Sequence, residues 1–383
     1  MLGPKQLGPT WQCGITETSI PTAVIGLPEP AIQVSAGQFH TCALVISGGV
    51  WCWGDGSFGE LGIGPRPRHS IIPRQVRNLP APVSRVSAGD GTTCAVTTEG
   101  AALCWGYNGS GQVGDGTRRT RRLPTPVAGL DSNVADISTN GWHSCALLNT
   151  TQVMCWGSNI SGELGLGHNR DQTRPRLVAG DHHAIAISVG SDHTCLIDEN
   201  TLAHCWGSGV FGELGIGSFR SHNVPVQLPD LSGISQIDLG QSHSCALLID
   251  GELRCWGLND EGQLGNGSTR ERNQPVRVRI AVRDQPLAIS AGASGTCAVV
   301  NNGQVRCWGW NFYGQIGNGT DGRRVLRPTR VSGGRVSWTG IRALAALPVP
   351  EGFDEGLIRL RAVYEGSPGY ARSRSPITEL QVE

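Results

Sequence analysis

Apolar and polar positions along the chain alternate in short runs of about five residues, and the runs recur with a period near 51 residues. No helical rhythm of 3.6 residues is sustained over any long window. The stretch "SCALLIDGELRCWG" at 244–257 shows the unit. Its alternating apolar residues around Asp250-Gly251 predict a β-hairpin with a three-residue loop, 249–251. The pair Trp-Gly marks each period, at Trp53, Trp105, Trp156, Trp206, Trp256 and Trp308, with steps of 52, 51, 50, 50 and 52 residues. Eight residues after each Trp stands a hydrophobic-Gly pair, from Leu61-Gly62 to Ile316-Gly317, and each period ends on a Pro-x-x-Val-like run such as "PRQV" or "PTRV". One such unit cannot bury both faces of its sheet alone, so the units must stack around an axis. The Trp is read as a wedge between neighbouring units.

The hairpin register has a chemical consequence. Cysteines lie ten residues apart in every unit: Cys42 and Cys52, Cys94 and Cys104, Cys145 and Cys155, Cys195 and Cys205, Cys245 and Cys255, Cys297 and Cys307. With a three-residue loop, residue 248 faces 252 and Cys245 faces Cys255. That pair is non-hydrogen-bonded, with Cα atoms about 4.5 Å apart, at the short end of disulfide range. Local cross-strand disulfides are therefore expected. The competing readings are reduced core thiols and metal ligands, but zinc sites need converging ligands at closer spacings. Disulfides persist in oxidising compartments, which points to a secreted, periplasmic or cell-surface protein. The opening "MLGPKQLGPTWQ" has no apolar leader and begins in mid-unit, so a removed or misassigned leader, or a fragment, is expected. Cys13 is left over, as a free thiol or one paired outside this chain.

The unit, as in "SAGQFHTCAL" with "VWCWGDGSFGELGIG", resembles the regulator of chromosome condensation repeat family, over roughly residues 31 to 331. The resemblance implies an all-β, seven-bladed propeller. Six units are clear, so a degenerate seventh blade is expected from 332–383, closed by the segment 1–30. The alternative is six blades plus a small appended β segment. The tail lacks the cysteine pair, the Trp-Gly and the hydrophobic-Gly loop. Known roles in the family include nucleotide exchange on a small GTPase, ultraviolet sensing, and inhibition of a β-lactamase by a secreted bacterial propeller.

Composition adds limits. Of 383 residues 55 are glycine, without the three-residue period of collagen. No apolar run approaches the ~20 residues of a membrane-spanning helix. Charge is balanced, 31 basic against 31 acidic residues, which argues against a polyanion binder as a whole. No nucleic-acid motif, phosphate loop, nucleophile elbow or calcium loop is present, so no catalytic residue, metal or cofactor is assigned. Four histidines (His40, His143, His193 and His243) follow the repeat and read as structural. Glu60, Glu163 and Glu213 share a repeat position with Gln112, Gln263 and Gln315. That interchange argues against an acid/base role, which needs an ionisable group.

Departures from the repeat carry the functional expectation. Arginines gather in the loop after each hydrophobic-Gly pair; they read either as solvated loops with partners such as Asp171 and Glu271 beside them or as a collar that attracts an anionic surface, with Arg118, Arg119, Arg121 and Arg122 its best patch. Aromatic residues that vary between units, including Phe58, Tyr107, Trp142, Phe211, Trp310, Phe312 and Tyr313, are candidate partner anchors. The expected protein is a monomeric, non-enzymatic, extracytoplasmic scaffold that binds a protein, or an anionic or polysaccharide partner, through its blade loops. The alternative is a cytosolic exchange-factor-like regulator of a small GTPase.

Overall fold

Each period folds as one four-stranded antiparallel meander. The structure, a computed structural model, describes residues 19–21, 23–322 and 324–335, and the backbone of 357–360, 363–364, 373–374 and 378–381. The six sheets span residues 31–75, 83–126, 134–177, 184–227, 234–277 and 286–335. In blade 5 the strands are Ile234–Leu239, His243–Leu248, Leu253–Gly257 and Arg272–Arg277. The first strands of successive blades lie side by side around the axis, so the fourth strands are outermost. Among the described residues the result is an all-β propeller of six blades, with no helix.

The hairpin register is the expected one. Leu247 faces Leu253, and Leu248 N donates to Glu252 O across the three-residue turn. Gly251 sits at φ +84°, which a left-handed turn position requires and glycine adopts without strain. The same register brings every cysteine pair face to face across the second and third strands of its blade. All six pairs are bonded: Cys42 to Cys52, Cys94 to Cys104, Cys145 to Cys155, Cys195 to Cys205, Cys245 to Cys255 and Cys297 to Cys307. Their Cα atoms lie 4.1–4.2 Å apart, somewhat closer than the expected 4.5 Å.

The core is divided between the blades. Five apolar clusters each join one blade to the next, and each contains the Trp of the following blade: Trp105, Trp156, Trp206, Trp256 and Trp308. The wedge reading holds for these five. Nearer the axis, side chains of each first strand hydrogen-bond the backbone of the next. Ser35 Oγ accepts from Ala88 N, Ser87 Oγ from Thr139 N, Ser138 Oγ from Val189 N, Ser188 Oγ from Leu239 N, and an Asp238 carboxylate oxygen from Ala291 N. These bonds satisfy amide groups that the edge of an inner strand would otherwise leave bare.

Among the described residues the seven-bladed expectation is not met; the six-bladed alternative is. Within 332–383, beyond the end of the last blade's outer strand, the described residues form only two-stranded pairs, Leu357–Leu360 with Thr378–Gln381 and Val363–Tyr364 with Ser373–Arg374. The rest of that segment and residues 1–18 lie outside the described residues. The tail lacks the cysteine pair, the Trp-Gly pair and the hydrophobic-Gly loop that let each other unit be counted. One contact concerns the N-terminal segment. Gly319 N donates to Ser19 O at 2.7 Å, as Gly64, Gly116, Gly167, Gly217 and Gly267 donate to Arg122, Thr173, Asn223, Asn273 and Leu326 of the following blade.

Candidate functional site on the loop face

A meander places the loops after its first and third strands at one end of the blade. That end carries the repeat histidines, the Gly-Glu or Gly-Gln loops, the arginines and the variable aromatics. Most of the repeating residues there are used up in tying blades together. Glu163 O accepts from Trp206 Nε1 at 2.8 Å and from Thr194 Oγ1 at 2.9 Å, both of the next blade. The carbonyls of Glu60, Gln112, Glu213 and Gln263 do the same. The histidines complete the tie, with Nε2 contacts of 2.7–2.9 Å from His40 to Thr93, His143 to Thr194, His193 to Ser244 and His243 to Thr296. Each hydroxyl has already given its one proton to a carbonyl, so each Nε2 must be the donor. The imidazoles are neutral: burial pushes His143 and His193 down to about 3, and His40 and His243 to about 4.

The Glu and Gln interchange has a matching cause. Glu163, Glu213, Gln112 and Gln263 each use one side-chain oxygen to accept the amide two residues earlier, at 2.7–3.0 Å. Either residue supplies that oxygen. Glu163 and Glu213 use their second oxygen to accept from Ser158 and Ser208, where the Gln blades have Tyr107 and Leu258. Burial raises all three carboxyls, Glu60 to about 7. The turn asparagines are equally committed. Asn108 and Asn159 are buried and donate their Nδ2 groups to loop carbonyls, so their Asn-x-Ser sequences are turn chemistry.

The predicted arginine patch is largely absorbed. Arg118 pairs with Asp171 of the next blade at 3.0 Å and donates to Gly109 O. Arg121 pairs with Asp115 at 2.5 Å. Burial opposes the ionisation of Asp115, but hydrogen bonds from Thr117 and Arg121 outweigh it and hold the carboxyl below its usual range. Arg122 reaches back to Ser57 O at 3.2 Å. Arg119 alone of the four is exposed with no side-chain partner among the described residues. Sequence reasoning passed over Arg277, Arg279 and Arg327, which lie in or just after outer strands. With Arg272 they line one groove between blades 5 and 6. The alternate spacing of 277 and 279 was the available signal.

The aromatics behave differently. Phe58 of blade 1, Tyr107 of blade 2 and Trp142 of blade 3 form one edge-to-face chain, with ring centroids 5.1 and 5.3 Å apart. Phe58 and Trp142 are nearly half exposed, at 47% and 46%. Gly91 lies against them: a Cβ there would make ordinary contacts, 3.5 Å from Tyr107 and 3.9 Å from Phe58. Next to it, burial and then the charge of Asp192 raise Asp90 to about 6. Trp310, Tyr313 and Phe312 make a second, local cluster in blade 6. Phe211 is partly exposed and has no ring contact among the described residues.

Comparison with known proteins agrees with this architecture. Human WBSCR16 superposes with a TM-score of 0.74 at 22% identity, over 82% of this chain and 85% of that one. Prp20p from Saccharomyces cerevisiae gives 0.70 at 23%, over 79% and 77%. In sequence, the chain is 33% identical over 183 residues to the mitochondrial RCC1 domain-containing protein RUG3 of Arabidopsis thaliana, covering 45% of this chain and 39% of that protein. It is 34% identical over 149 residues to the human probable E3 ubiquitin-protein ligase HERC3, covering 38% and 14%. The matches thus span well under two thirds of these relatives' lengths. The sequence profile of the RCC1-like domain matches residues 3–346, and the chain belongs to that family.

Proposed function

We propose that the chain is a non-enzymatic, extracytoplasmic scaffold that binds a protein partner through its loop face, with Phe58, Tyr107 and Trp142 as the anchor. The observation that carries the reading is their continuous, half-exposed aromatic chain across three blades. Rigid aromatics held on a scaffold gain contact area at little entropic cost. The repeat histidines and the Glu and Gln carbonyl groups already serve blade-to-blade ties, which leaves them no free role in acid/base chemistry. Six disulfides support an oxidising compartment. HERC3's ligase activity belongs to a protein of which this chain matches 14%, and Prp20p shares the fold at an identity that carries no partner across.

The test is a pull-down from the extracytoplasmic fraction of the native host. A partner should be retained by the wild type and by Ile249→Ala in the opposite-end turn, and lost when Phe58→Ala and Trp142→Ala are combined. Equal retention by all three rejects the aromatic anchor. Thiol counting on denatured, unreduced native protein tests the compartment: twelve reactive thiols beyond Cys13 would favour the cytosolic exchange-factor-like alternative.

A further inference from the structure

We propose that the groove between the outer strands of blades 5 and 6 is a binding site for a small multivalent oxyanion, a ligand with at least two phosphate or sulfate groups. The groove has a volume of about 820 Å³ and is lined by Arg272, Arg277, Arg279 and Arg327 over an apolar floor that includes Val276 and Val278. That volume is in the range of small-molecule sites.

What sets the four guanidinium groups apart is that they share one groove without a carboxylate among them. Arg85, Arg118, Arg121, Arg254, Arg306 and Arg324 each have a carboxylate within 4 Å. Among the described residues, Arg272, Arg277, Arg279 and Arg327 have neither an acidic partner nor a side-chain hydrogen bond. Two of them nevertheless converge. Arg327 Nε and Arg279 Nη1 lie 2.9 and 3.6 Å from the point a Cβ on Gly267 would occupy. Like charges gathered around one point repel each other, and an anion bound between them offsets that repulsion.

Chemistry selects the ligand. A guanidinium offers a planar fork of donors that matches the oxygens of phosphate and sulfate. Four such forks along one groove exceed what a single anion can use, so the ligand carries several anionic groups. An added peptide strand is a poor fit, because each bordering outer strand contains a proline, Pro275 and Pro328, which removes main-chain donors. The groove flanks the propeller's outer side, and this inference does not rest on the aromatic anchor.

Isothermal titration of the full chain at low salt tests it, with inorganic tripolyphosphate, a disulfated disaccharide, sodium sulfate and a hexaglutamate peptide as titrants. Wild type should bind tripolyphosphate or the disaccharide at one site, at least tenfold more tightly than sulfate. The tighter of the two tells whether phosphate or sulfated sugar is the source. Arg279→Gln combined with Arg327→Gln should weaken that binding at least tenfold, while Arg119→Gln leaves it unchanged. Both changed residues are exposed, and circular dichroism verifies the fold. Absence of binding by both polyanions, equal binding by the double variant, equal affinity for sulfate, or binding of hexaglutamate alone would each overturn the proposal.

Discussion

Replacing His193 by glutamine isolates one blade-to-blade tie and gives it a pH signature. His193 Nε2 donates to Ser244 Oγ at 2.9 Å, and a glutamine amide can supply a similar donor. At pH 7.5 the variant should lose about 1–2 kcal/mol for imperfect packing. The pH dependence is the sharper test. Burial lowers the folded His193 to about 3 from an ordinary 6.5. Between these values the unfolded chain holds a proton that the folded chain lacks, so folding stability falls as pH falls. The loss accumulates at about 1.4 kcal/mol per pH unit once below 6.5. From pH 7.5 to 4.5 wild type should therefore lose about 2–3 kcal/mol through this residue alone, and the glutamine variant should not. Asp238 and Asp90, both raised to about 6 mainly by burial, have the opposite sign: they stabilise as pH falls through 6 towards their unfolded values. They are present in both proteins and cancel in the difference. Urea unfolding of both proteins at half-unit pH steps reads that difference. The variant should start less stable and end more stable, with a crossing between about pH 5 and 6. A flat difference would refute a neutral buried imidazole at this position.

Three further outcomes follow from the same architecture. Trp206→Phe removes the indole N–H donated to Glu163 O and leaves a cavity in the junction of blades 3 and 4, a loss of about 2–3 kcal/mol by urea unfolding. Glu213→Gln keeps the oxygen that accepts Phe211 N and should shift the unfolding midpoint by the equivalent of less than about 0.5 kcal/mol at pH 7; a loss above about 2 kcal/mol would show that the charge itself matters. Removing one disulfide by changing Cys195 and Cys205 together to alanine opens a ten-residue separation, for which chain entropy predicts about 2.8 kcal/mol. The other five bonds, including those of Cys52, Cys104, Cys155 and Cys307, should still form by mass spectrometry, because each closes within its own hairpin.

What the sequence made legible was whatever the period repeats. The hairpin turn at 249–251, the facing cysteines and the Trp wedge each depend on neighbours within one unit or on the translation between units. Copies of the same local solution made them visible six times over. The histidines were readable as structural but not as ties, because their hydroxyl partners lie 51 to 53 residues ahead. The arginine patch shows the same limit more strongly. Asp171 was legible as an acidic partner for loop arginines, but its pairing with Arg118, 53 residues back, needed the fold. Arg279 and Arg327 came together only because the Gly267 loop of blade 5 packs against the outer strand of blade 6. The blade count failed where the pattern ran out, since a segment without Trp-Gly, cysteines or a glycine loop gives periodic reasoning nothing to count. The aromatic chain was half visible: its members were singled out, but their union needs loops of three successive blades side by side.

Net charge hides this distribution. The chain balances 31 basic against 31 acidic residues, yet pairing is uneven around the ring. Arg118 and Arg121 in blade 2 have found carboxylates, whereas four guanidinium groups of blades 5 and 6 have none among the described residues. At physiological salt the Debye length is about 8 Å. The unpaired cluster therefore creates a local field that fades within a blade's width, and it gives little long-range steering. Recognition there must come from contact, by forks closing on oxygens in a groove. The aromatic chain on blades 1 to 3 has the complementary chemistry, apolar and with a carboxyl raised by burial, Asp90, beside it. High salt should weaken any ligand of the arginine groove and leave a partner held by Phe58, Tyr107 and Trp142 nearly unchanged. Binding at the two surfaces is thus separable by salt alone, before any residue is mutated.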